Sequence, residues 1–86
     1  MQVTVYGPLR SAAGGKTVDV APNGATVRDL LDAFVARHPN AETHLYDESG
    51  GVRPSVRVMV GARKAALDDA IPDGETVKLF PAMRGG

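Results

Sequence analysis

Eighty-six residues, 43% of them apolar and 23% charged, are enough for one globular domain and too few for two, and the balance is that of a chain able to bury a core. Ten Lys and Arg offset ten Asp and Glu, so no net field draws the chain to nucleic acid or to an anionic membrane, and the lack of cysteine removes disulfides, thiolate metal ligands and Cys nucleophiles. The N-terminal segment has no basic stretch followed by a long apolar run, so a cytoplasmic protein is expected, and a domain this small is expected to carry or bind rather than to catalyse alone.

Polar and apolar residues alternate over residues 2–6, with Val3 and Val5 on one face and Thr4 on the other, the period of a half-buried strand. Gly7 and Pro8 end it. Residues 16–20 alternate again through Val18 and Val20 after Gly14 and Gly15, which predicts a hairpin with a long loop. Thr26 is placed to cap a helix over residues 26–37, with Asp29 as the acid of a capping box. Val27, Leu30, Leu31, Phe34 and Val35 form its apolar stripe, and Pro39 stops it.

Residues 40–54 hold Gly50, Gly51 and Pro54 among polar side chains and predict an irregular loop with a short turn near residues 43–46. Residues 55–60 predict a strand with Val56, Val58 and Val60 inward and Arg57 and Met59 outward, followed by a turn at Gly61 and a short strand over residues 63–65. Asp73 and Gly74 then turn the chain into a last strand over residues 76–80, Val77 and Leu79 facing in, Lys78 and Phe80 facing out. Pro81 ends pairing because it has no N–H for the ladder. The order predicts an α+β domain over residues 1–81, a mixed sheet of four to five strands with one main helix packed on one face.

Residues 82–86, Ala-Met-Arg-Gly-Gly, follow that strand with nothing downstream to pack on them, and are expected to form a flexible projecting tail. Gly85 and Gly86 lack Cβ atoms, so the Gly86 carboxylate would sit on a thread thin enough for a narrow channel. Such a group suits acyl transfer: activation to an acyl adenylate, then displacement of AMP by a nucleophile.

The ending Asp73-Gly74-Glu75-Thr76-Val77-Lys78-Leu79-Phe80-Pro81-Ala82-Met83-Arg84-Gly85-Gly86 resembles the D-G-D-x-V-x-h-F-P-P-V-x-G-G ending of the MoaD/ThiS family of ubiquitin-like sulfur carriers. Gly24-Ala25-Thr26-Val27-Arg28-Asp29-Leu30-Leu31 is similar to that family's helix start, and Arg53-Pro54-Ser55-Val56-Arg57-Val58-Met59-Val60 to the segment before its third strand. The resemblance implies a ubiquitin-like β-grasp fold, with first and last strands parallel. It also implies that a ubiquitin-activating-type enzyme adenylates Gly86 with ATP, with no cofactor bound to the carrier. A thiocarboxylate then forms at Gly86 and donates sulfur to a synthase or large subunit in molybdopterin, cysteine, thiosugar or tRNA-thiolation chemistry; the small subunit of a molybdopterin synthase is one such role. Ala82 replaces the second proline, Met83 a Val or Ile, and Arg84 a small residue. Arg-Gly-Gly also ends ubiquitin, and archaeal small modifier proteins share the fold, so conjugation through Gly86 to substrate-protein lysines is the alternative, with Lys16, Lys64 and Lys78 of a second copy as conceivable acceptors.

The outward residues Arg57, Met59, Lys78 and Phe80 are expected to form an apolar patch with a basic rim for partner docking, extended by Leu9 and Met83, with Pro81 and Arg84 guiding the tail. Gly14-Gly15-Lys16-Thr17 matches only the end of a phosphate-binding loop: Arg10 stands where that motif needs glycine, and strand rather than helix follows. His38 and His44 lack companions for a metal site and are expected to be solvated loop residues. Asp68, Asp69, Asp73 and Glu75 are expected to be exposed loop acids, with docking to a basic surface as a minor role.

Overall fold

The computed structural model of the chain describes residues 1–81. The expectations for Met83, Arg84, Gly85, Gly86 and a flexible tail lie outside those residues. Strand β1 (Gln2–Val5) buries Val3 and Val5, as the alternation requires. The hairpin partner forms: β2 (Thr17–Asp19) pairs antiparallel with β1, Val3 opposite Val18.

The connection between them is helical, not a plain loop. Helix α1 (Leu9–Ala13) starts after Pro8 and ends at Gly14, whose φ of 79° lets the N–H groups of Gly14 and Gly15 both donate to the Arg10 carbonyl. Leu9 is the residue this helix drives into the core, where it is fully buried. The expectation that Leu9 extends an exposed patch is therefore corrected.

Helix α2 (Val27–Arg37) has the expected reciprocal cap, in which the Asp29 N–H donates to Thr26 Oγ1 at 3.2 Å and the Thr26 N–H donates to Asp29 Oδ2 at 3.2 Å. Val27, Leu30, Leu31 and Phe34 are buried and Val35 half-buried. Pro39 opens a 3₁₀ turn (Pro39–Ala41) that runs into the single-turn helix α3 (Glu42–Leu45), so the expected short turn exists one residue earlier and buries Ala41 and Leu45.

Strand β3 (Arg57–Val60) starts later than expected, because the Val56 N–H donates to the Arg53 carbonyl and closes a turn over Pro54 and Ser55. Strands β4 (Arg63–Ala65) and β5 (Val77–Phe80) complete a five-stranded sheet of order β2-β1-β5-β3-β4. Only the central β1–β5 pair is parallel. Inward residues of the strands join α1, α2 and α3 in one hydrophobic cluster. This is the expected β-grasp. Among the described residues, no helix is long and apolar enough to cross a membrane.

Candidate functional site

Because β5 lies between β1 and β3, the last strand carries the chain out from the middle of the sheet. The register fixes what surrounds the exit. Phe80 pairs with Arg57 across the antiparallel β3–β5 ladder, and Lys78 pairs with Met59. On the other side, the Tyr6 N–H donates to the Leu79 carbonyl, continuing the parallel β1–β5 ladder and setting the Tyr6 ring against Phe80. The two rings stack 4.3 Å apart with 8° between planes. The Arg10 guanidinium lies 5.4 Å from the Tyr6 centroid, and its Nε–H donates to the Val5 carbonyl at 3.1 Å.

Sequence reasoning placed Arg57, Met59, Lys78 and Phe80 on one face, and the structure brings them together there. It missed Tyr6 and Arg10. The alternation that turns Thr4 outward also turns Tyr6 outward, but only the parallel register sets it beside Phe80. Arg57 and Lys78 are exposed, Met59 and Phe80 half-buried. Tyr6, Pro8, Pro54, Val56, Lys64 and Phe80 line a cleft at this end of the sheet.

Pro81 packs where the chain leaves the sheet. It is buried, with its ring over Gly7: a Cβ on Gly7 would stand 3.2 Å from Pro81 Cγ, and Gly7 holds φ at +58°. Pro81 therefore anchors the chain at its point of departure, where it also lines the cleft.

The remaining candidates fall elsewhere. Thr17 begins β2, so no helix N-terminus follows Gly14-Gly15-Lys16 and the phosphate-loop likeness has no structural support. His38 is not a solvated loop residue: it is the C-cap of α2, packs 5.1 Å from Phe34, and holds Nε2 buried without a hydrogen-bond partner. His44 is half-buried in α3. Of the four acids, Asp69 is tied up, accepting the Ala66 N–H at 2.8 Å, while Asp73 and Glu75 precede β5 and so lie at the end of the sheet away from the exit. No group of three or more acidic, His or Cys side chains fit to hold a metal occurs among the described residues.

Two displaced ionisations belong to residues outside the cleft lining. Burial, reinforced by its bond to Asp32 Oδ1 at 2.6 Å, holds the Tyr46 hydroxyl well above the ordinary tyrosine range. The Ser49 hydroxyl, with the backbone N–H groups of Gly51 and Ser49, holds the Asp47 carboxyl below its ordinary value.

The ThiS family model matches residues 3–86, nearly the whole sequence. The chain belongs to the ThiS family. It is 36% identical over 87 residues to small archaeal modifier protein 1 of Haloferax volcanii, an alignment that spans 100% of both chains. The crystal structure of that protein superposes with a TM-score of 0.88, covering 100% of this chain and 98% of the other. The Amycolatopsis orientalis BexX/CysO complex contains a chain 29% identical that superposes with a TM-score of 0.77, covering 99% of this chain and 98% of that one. The β-grasp fold and the family together place the chain among small ubiquitin-like sulfur carriers and modifiers.

Proposed function

We infer that the chain is a sulfur carrier that works through the Gly86 carboxylate. The observation that carries this reading is the exit of β5 at the centre of an open, aromatic-floored face, in a chain whose family match runs through to Gly86. Beyond Pro81 five residues remain, a reach of at most about 17 Å, enough to carry Gly86 from a docked face into an enzyme's active site.

In the first step a carboxylate oxygen of Gly86 attacks the α-phosphorus of ATP on a ubiquitin-activating-type enzyme, and pyrophosphate leaves. Hydrosulfide then attacks the acyl carbon and AMP leaves with its oxygen, giving the thiocarboxylate and a proton. That sulfur passes to a biosynthetic acceptor held by a synthase or large subunit, in molybdopterin, cysteine, thiosugar or tRNA-thiolation chemistry. The carrier supplies the acyl group, a firm anchor at Pro81 and a face to dock, and the partner supplies acid–base catalysis.

A second reading is favoured by the full-length likeness to a modifier protein: conjugation of Gly86 to lysines of substrate proteins. Both outcomes pass through the same adenylate and differ in the nucleophile, sulfide against amine. Intact mass spectrometry of the protein from its native host tests the first, through an oxygen-to-sulfur mass increase confined to the C-terminal peptide. Tryptic cleavage after Arg84 tests the second, through Gly-Gly remnants on lysines that vanish when the gene is deleted. Neither signal, in cells with an active activating enzyme, would overturn both.

A further inference from the structure

The register lays one outward row across the whole sheet: Thr17, Thr4, Lys78, Met59 and Lys64. Beside it, toward the exit, lie Arg57, Phe80 and Tyr6, with Arg10 against the Tyr6 ring. The face thus carries Arg10, Arg57, Lys64 and Lys78. Its one carboxylate among these strands is Asp19 at the far corner, which pairs with the Met1 amino group at 3.9 Å, the only ion pair among the described residues. Of the other acids, Asp29, Asp32, Glu42, Asp47 and Glu48 lie on α2, α3 and the loop after them, and Asp68, Asp69, Asp73 and Glu75 lie in the connection between β4 and β5. Among the described residues, none of these four cations is in an ion pair.

We propose that this face is built for an acidic protein partner, one that presents an apolar side chain between carboxylates. Met59 has Lys78 one strand away on one side and Lys64 one strand away on the other, so the two cations stand on strands about 10 Å apart with an apolar centre between them. A polyanion such as RNA would meet the cations and could stack a base on Tyr6 or Phe80, but it would leave Met59, set between Lys78 and Lys64, without an apolar counterpart, and a net-neutral chain has no long-range field to collect it. A protein surface with an aliphatic or aromatic residue flanked by Asp or Glu satisfies both features. The inference deepens the docking reading above and names the chemistry that the activating enzyme or synthase must show to this face.

The test has two arms. In the first, the ¹⁵N-labelled full chain is titrated by NMR with a short synthetic peptide carrying one Phe between aspartates. The expected result is signal movement at Arg57, Met59, Lys64, Lys78 and Phe80, abolished by added salt and by the double variant Lys64→Glu/Lys78→Glu. Lys16→Glu retains it, since Lys16 precedes the outward Thr17 and is turned from this face. No movement, movement elsewhere, or equal loss in Lys16→Glu overturns the proposal. So does movement of the same signals at lower concentration by an RNA oligonucleotide or by phosphatidylserine vesicles.

In the second arm, the host's adenylating enzyme is titrated calorimetrically with the same variants, and the double variant is expected to bind about tenfold more weakly or worse, with a flatter salt dependence. Equal affinity of wild type and double variant overturns the proposal. If the peptide arm holds while the wild-type chain is neither bound nor adenylated by that enzyme, the face chemistry stands and the sulfur-carrier reading fails.

Discussion

Replacing Tyr6 and Phe80 by alanine, singly and together, measures how firmly the exit strand is held. Both rings are half-buried and stack at 4.3 Å, so each single truncation loses roughly half the burial of a core aromatic, about 2 kcal/mol, where a fully buried Phe→Ala costs about 3–5. About 1 kcal/mol of each single loss is the stacking, which either substitution removes, so the double variant should lose about 3 kcal/mol rather than 4. Urea denaturation followed by far-UV circular dichroism reads the cycle, and each kcal/mol is also about 4–8 °C in Tm for a domain of this size. Single losses that add within about 0.3 kcal/mol would refute the idea that the rings hold each other. In an adenylation assay, Tyr6→Ala at a temperature where it remains folded should raise KM while sparing kcat. The acyl group is untouched, and only its presentation changes. A fall in kcat at constant KM would mean that the stack acts on the chemical step instead.

Gly7→Ala should cost about 1–2 kcal/mol in the same denaturation assay, because φ of +58° disfavours any Cβ and this one would meet Pro81 at 3.2 Å; an unchanged midpoint would show that Pro81 does not pin the chain there. Thr26→Ala removes the reciprocal cap of α2 and should cost about 1 kcal/mol, with Thr26→Ser restoring most of it. Tyr46→Phe should cost about 1 kcal/mol at neutral pH through the lost bond to Asp32. Because the folded-state pKa of Tyr46 is raised, its contribution is full below the unfolded value of about 10 and fades as pH rises above it, so wild type and Tyr46→Phe should converge in stability between about pH 10 and 12. Curves that stay parallel through that window would show that the hydroxyl is not held protonated.

How far the sequence reveals this arrangement depends on the range of each signal. Helix α2 is legible because its cap, stripe and stop all lie within 14 residues, from Thr26 to Pro39. Helix α1 is not, because Gly7-Pro8 and Gly14-Gly15 read as turn punctuation around five residues. Its signal was present in Leu9, Ala12 and Ala13 at i, i+3 and i+4 behind a proline, and overlooking it left Leu9 on the surface instead of in the core. Phe80 faces outward by alternation alone. That Tyr6 meets it is a fact about parallel pairing between the first and last strands, which no local pattern encodes. His38 follows Phe34 at i+4, a spacing that places two rings on one helix face, and that neighbourhood shields its Nε2.

The topology also joins the exit to the proposed docking face. A strand at the sheet edge could present a tail, but it would be free to fray; β5 is paired on both sides over Val77–Leu79, so the point of departure at Pro81 is rigid relative to Arg57, Met59 and Lys78. A partner that grips the face therefore knows where the tail begins, and the few residues beyond need only span the remaining distance. In the proposed function, sulfur transfer and conjugation share this geometry up to the adenylate and part only at the nucleophile. Variants of the face, Phe80→Ala or Lys64→Glu/Lys78→Glu, should then depress thiocarboxylate and lysine-linked product by the same factor. A variant that lowered one and spared the other would show that the acceptor, and not the activating step, reads this surface.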